Sequence, residues 1–175
     1  MITPTSPHES AGAFVETAVA QHQASLLRYA ARLVGDLDRA RDVVQDTFVK
    51  FMAQPRETVE GHEAEWLFTV CRHRAFDVLR KEGRMSHFAD GEAERVSSSE
   101  PRPGLGLEQK ETQSALLDLI HRLPPNQQEV IRLKFQSGFS YKEISRITAL
   151  SVSNVGFLIH TAVTRLRRDF AALPR

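Results

Sequence analysis

Between Trp66 and Arg84 the chain interleaves Arg72, His73, Arg74, Arg80 and Lys81 with the rings of Trp66, Phe68 and Phe76. Basic groups neutralise phosphates and ring faces stack on unpaired bases, so this mixture suits single-stranded nucleic acid. A second set lies near the C-terminus: Ser153, Asn154, Phe157, Thr161, Thr164, Arg165 and Arg168 fall on one side of a helix and carry groups that suit base edges and phosphates. A third set is acidic. Asp42 and Asp46 are one turn apart beside Gln45, Val49 and Lys50, a face suited to a basic partner. Each set also has a plainer reading. Trp66 and some of the Phe residues could be core, and cations near a helix C-terminus are favoured by the macrodipole. The acidic face could be an ordinary solvated helix side, and the C-terminal segment an ordinary helical hairpin.

Covalent chemistry finds little support. Cys71 and His73 stand at i and i+2 of a helical pattern, where side chains diverge and cannot share a metal without distortion. The remaining histidines are scattered. No glycine-rich phosphate loop, nucleophile elbow or H-E-x-x-H is present. The expectation is a protein that is not an enzyme and uses no cofactor and no metal.

The elements that must position these residues are helical. Apolar residues from Phe14 to Val34 predict one or two helices stopped by Gly35. After Asp36 or Asp38 as cap, Ala40, Val43, Val44, Thr47, Phe48 and Phe51 repeat at helical spacing to about Gln54, before Pro55. Residues 55–63 are polar and poor in apolar anchors, which predicts a loop. A long helix then runs from about Ala64 to Lys81, burying Leu67, Val70, Cys71, Ala75, Val78 and Leu79, and Gly83 ends it.

From 85 to 107 the composition turns to Ser, Pro, Gly and acidic residues, which cannot bury enough apolar surface to offset ordering entropy. A flexible tether is expected there. Beyond it, Leu116, Leu119, Ile120 and Leu123 predict a helix ended by Pro124-Pro125, and Val130, Leu133 and Phe135 predict another. Ser140 and Glu143 have capping-box spacing, so a helix starts at Ser140 and buries Ile144, Ile147 and Thr148. Leu150 and Ser151 make a turn, and Ser151 or Ser153 caps a second helix with a stripe of Val155, Leu158, Ile159, Ala162, Leu166 and Phe170. That is the pattern of a helix-turn-helix. The fold class expected is all-α: two small helical domains, 12–84 and 108–175, joined by the linker 85–107.

Whole-chain quantities agree. The 175 residues, 41% of them hydrophobic, can bury two small cores, and the net charge of +1 means that affinity for nucleic acid must come from local patches. One cysteine excludes a disulfide framework, and the first ten residues lack a basic start and an apolar run. These features predict a cytoplasmic protein with no membrane insertion.

The order Leu27-Arg-Tyr-Ala, Gly35-Asp-Leu-Asp-Arg-Ala-Arg-Asp-Val-Val-Gln-Asp-Thr-Phe, Trp66-Leu-Phe-Thr-Val, Asp77-Val-Leu-Arg-Lys, a linker, Leu123-Pro-Pro-Asn-Gln-Gln-Glu-Val-Ile and the helix-turn-helix resembles an extracytoplasmic-function (ECF) sigma factor of bacterial RNA polymerase. The resemblance implies a first domain that grips the β′ clamp helices of the core enzyme and melts and reads the −10 element. It implies a second that reads the −35 element beside the β flap, with promoter DNA and an anti-sigma factor as further partners. Asp42, Gln45, Asp46 and Phe48 then stand at the polymerase contact. Residues 54–65 correspond to the loop that captures an extruded base. Trp66, Arg72, His73, Arg74, Arg80 and Lys81 stand on the −10 side, and Ser153, Asn154, Phe157, Thr161, Arg165 and Arg168 on the −35 side.

Three departures stand out. Arg41 replaces a usual acid, His73 a usual Asn, and the start of the recognition helix lacks the usual basic residues. The last of these motivates an alternative: a degenerate sigma-like protein that binds polymerase or an antagonist without reading the −35 element.

Overall fold

The structure is a computed structural model that describes the backbone of residues 7–83 and 107–173, and side chains within 12–83 and 112–173. Every regular element among the described residues is helical. The chain divides into two compact units, residues 1–85 and 86–175. The predicted tether lies almost wholly outside the described residues.

The first unit comprises α1 (Pro7–Val34), α2 (Leu37–Met52), a short 3-10 turn (Arg56–Thr58) and α3 (Glu63–Lys81). All three long helices pack on one another. One unbroken helix spans the segment where one or two were expected. Gly35, at φ +74°, ends it in the left-handed region that glycine enters without strain. Asp36 caps α2, its carboxylate accepting from the Arg39 N–H at 2.8 Å. Leu26, Ala30, Ala40, Val43, Leu67, Cys71 and Ala75 are all but sealed from solvent. Burial pushes the Cys71 thiol up to about 12, with the Thr47 hydroxyl opposing weakly, so the group packs as a small hydrophobe.

Three expectations are corrected in this unit. Val70 and Val78 are only half-buried, while Phe68 is buried against Tyr29, ring centroids 5.1 Å apart. The segment after Pro55 is anchored after all, because Val59 is 1% exposed and a buried valine contributes about 1.5–3 kcal/mol. The Val59 N–H donates to the Arg56 carbonyl at 3.1 Å, and the Arg56 guanidinium lies 4.9 Å from the Phe14 ring centroid and 2.6 Å from Glu60. The α2 helix also stops at Met52, two residues short of the expected end.

The second unit comprises α4 (Leu107–His121), α5 (Pro125–Phe135), α6 (Tyr141–Thr148) and α7 (Val152–Ala171). Pro125 opens α5 at a position where no backbone donor is needed. The α7 helix is the hub, packing on α4, α5 and α6. Leu133, Val130, Ile144, Ile147, Val155 and Ala162 form the core. Phe135, at 64% exposed, and Phe170, at 42%, lie outside it, and Leu166 is half-buried. Periodicity tells which way a side chain points; it does not tell how far along the helix a neighbour reaches. No single described helix is long and apolar enough to cross a membrane.

Candidate nucleic-acid interface

The capping box that starts α6 is closed. The Glu143 N–H donates to Ser140 Oγ at 3.3 Å, and the Ser140 N–H donates to Glu143 Oε2 at 2.7 Å. The Ser140 hydroxyl and then its backbone N–H hold the Glu143 carboxyl below the usual range. Ser151 caps α7 by accepting from the Asn154 N–H at 3.1 Å. Between the two helices run three residues, and the helix directions differ by 105°, within the range of a helix-turn-helix. The Ser145 hydroxyl donates to the Leu150 carbonyl at 2.6 Å and so ties α6 to this turn. Ala149 enters the turn at φ +59°, the left-handed region, as the only non-glycine residue with positive φ among those described.

On α7, Ser153, Phe157, Thr164 and Arg168 follow helical spacing along the face opposite Val155, Leu158, Ile159 and Ala162. Ser153, Asn154, Phe157, Arg165 and Arg168 are exposed and Thr161 is half-buried. The structure therefore brings the six predicted residues onto one side of one helix. Phe157 is 66% exposed and stands in its middle. The Thr161 hydroxyl donates to the Phe157 carbonyl at 2.9 Å, leaving its oxygen able to accept. Asp169 sits between two of the cations, 2.9 Å from Arg168 and 3.8 Å from Arg165. Sequence reasoning passed over Lys142 and Arg146, both exposed on α6, the helix that crosses the phosphate backbone in this motif.

In the first unit, Asp42, Gln45 and Asp46 are exposed on α2, and the face continues through Val49 and Met52, each more than half exposed. Met52 was missed because an exposed methionine looks like any other apolar position of the helix. Phe48 is 8% exposed and belongs to the core stripe, so it supports that face from beneath and does not form it. Arg41 bonds Asp38 at 2.6 Å, one turn back, and leaves Asp42 and Asp46 to carry the face.

The basic residues of α3 divide. His73, Arg80 and Lys81 are exposed, Arg80 being 3.0 Å from Asp77, and the Arg72 guanidinium lies 4.4 Å from the Phe76 ring centroid. Trp66 is half-buried with its ring 5.6 Å from that of Phe51. Arg74 donates to the Asp46 carboxylate. Two residues assigned to different partners on sequence grounds thus form one ion pair across α2 and α3, 28 positions apart.

Residues 18–85 match the family described as Sigma-70 region 2, and residues 113–166 match Sigma-70 region 4. The chain is 33% identical over 150 residues to the ECF RNA polymerase sigma factor EcfG of Rhodopseudomonas palustris, covering 85% of this chain and 78% of that protein. It is 31% identical over 152 residues to SigL of Mycobacterium tuberculosis, also an ECF RNA polymerase sigma factor, covering 84% and 83%. Among solved structures it resembles the sigma factor RpoE of Bartonella quintana, crystallised in complex with the anti-sigma factor NepR. That match has a TM-score of 0.64 and 26% identity, covering 91% of this chain and 98% of that one.

Proposed function

The chain belongs to the ECF sigma factors of bacterial RNA polymerase, subunits that direct core polymerase to specific promoters, and from that premise we propose how its residues divide the work. The residue range 12–84 docks on the β′ clamp helices through Asp42, Gln45 and Asp46, with Phe48 stiffening the helix behind them, and melts and reads the −10 element. Strand capture uses the 54–65 segment braced by Val59 and Arg56, with Trp66 at its edge. Arg72, His73, Arg74, Arg80 and Lys81 follow the displaced backbone, where each phosphate contact adds to the salt dependence. The range 108–175 reads the −35 element through the exposed face of α7 and stands near the β flap, and 85–107 acts as the tether. The chain contributes binding and strand opening, and no catalytic step of its own.

The observation that carries this reading is the capped helix-turn-helix with its polar face outward, in a chain whose other unit presents a carboxylate face and a basic face on adjoining helices. Two helices at this angle, the second exposed along one side, fit a major groove. The relatives are named as ECF RNA polymerase sigma factors, which favours this reading over a degenerate homologue. An anti-sigma factor is proposed as a further partner by likeness to the Bartonella quintana complex. We further propose that the protein works in the cytoplasm. Footprinting of the chain with core polymerase on promoter DNA tests the assignment. Protection in two separate patches, lost when core enzyme is omitted, is expected, and protection in neither patch would refute it.

A further inference from the structure

Residues 152–164, about the first three and a half turns of α7, contain no lysine or arginine. Base edges in the major groove are read from this end of a recognition helix. The commonest guanine contact is a bidentate arginine or a lysine on O6 and N7, and no such group is available here. Two of the exposed groups, Asn154 and Phe157, have another specificity. A carboxamide such as that of Asn154 pairs with N6 and N7 of adenine, and an apolar side chain such as Phe157 fits the C5-methyl of thymine.

The placement of Phe157 supports this use. Its ring stands in line with Ser153 and Thr164, away from the core stripe and 66% exposed. Next to it, Gly156 keeps the helix slim on one flank: a Cβ there would lie 3.5 Å from the Tyr141 ring, so Tyr141 packs close against the α7 backbone. The Lys134 ammonium lies 5.5 Å from that ring's centroid, and Lys142 and Arg146 lie beyond on α6. At the far end come Arg165, Arg167 and Arg168. An apolar and amide reading head between two groups of cations matches base edges flanked by phosphate strands. Two carboxylates lie among these cations, Glu143 turned into the capping box and Asp169 shared by two arginines.

We propose that this helix selects A·T base pairs in the −35 element, with Phe157 seating a thymine methyl and Asn154 holding an adenine, and that it makes no guanine contact through a side-chain cation. The proposal rests on the second unit being the −35 reader. Its test is a selection from duplexes randomised across the −35 region, using core polymerase loaded with the full chain. The winning duplex is then remade with deoxyuridine in place of each thymine, which removes the methyl group alone.

An A·T-centred motif is expected. Methyl removal at one position should weaken binding about fourfold, the effect of withdrawing one methyl group from contact. Phe157→Ala should bind the unmodified duplex less tightly and be indifferent to deoxyuridine at that position. A guanine-centred motif, or wild-type binding indifferent to every methyl, would overturn the proposal while footprint protection at −35 left the assignment of the second unit standing. Loss of core-polymerase affinity in Phe157→Ala with unchanged base preference would likewise overturn it, placing Phe157 against protein. Absence of −35 protection altogether would overturn both.

Discussion

Reversing the charge of the α2 face with Asp42→Arg and Asp46→Arg separates docking from folding. In the isolated chain Asp46 pairs with Arg74, and the two side chains are 50% and 30% exposed, so the bond contributes at most about 1 kcal/mol after solvent screening. Its loss, with a new cation beside Arg74, should lower the melting temperature of the first unit by no more than about 10 °C. Against a basic partner the change is larger. A unit charge pair about 4 Å apart is worth about 1 kcal/mol even at the dielectric constant of water. Two reversals each turn one such attraction into a repulsion, so the double variant should lose about 4 kcal/mol, or about three orders of magnitude in Kd. Titration of fluorescently labelled chain with core polymerase, with thermal melting in parallel, measures both terms. Unchanged affinity in a variant that still melts cooperatively would refute the docking face.

Three further outcomes follow from the second unit. Ala149 holds a left-handed conformation that costs an L-residue about 1–2 kcal/mol and glycine little, so Ala149→Gly should raise the stability of that unit by up to about 1 kcal/mol in denaturant melts. No gain, or a loss, would mean that the turn is not strained. Glu143 is held below its ordinary range, so its contribution is present above that range and is lost as pH falls through the lowered value; the melting temperature should therefore drop between about pH 5 and about pH 3 more steeply in the wild type than in Glu143→Gln. Identical profiles would count against the capping box. Asp169→Asn frees Arg165 and Arg168 for phosphate, so holoenzyme binding to promoter DNA should tighten about twofold to fivefold and its dependence on salt should steepen. Weaker binding would mean that Asp169 orients these arginines productively.

The parts of the fold that were legible in the sequence are those set by neighbours along the chain. Asp36, Ser140 with Glu143, and Ser151 announce their helices because a cap involves residues three apart. The apolar stripes of α2 and α7 likewise follow from a period of 3.6 residues. What escaped depends on distant partners. Val59 becomes an anchor because the first unit's core extends beneath a polar segment, which no pattern within that segment reveals. Phe170 follows the buried stripe in register and is exposed.

The candidate site divides in the same way. The face of α7 could be drawn from spacing alone, whereas the Asp46 to Arg74 pair joins residues on two helices and is visible only once they pack. Phe48 shows the same limit in reverse. Its position in a docking pattern and its position in the buried stripe were both readable, and packing places it in the core.

The central claim is that these two helical units confer promoter choice on a polymerase that lacks it. Run-off transcription from a selected promoter, with core enzyme alone and with the chain added, tests it most directly, and Arg80→Ala with Lys81→Ala provides an internal control. Discrete transcripts should arise only with the chain, and the control should still bind polymerase but form fewer open complexes. Polymerase that starts at the same places with and without the chain would contradict the account.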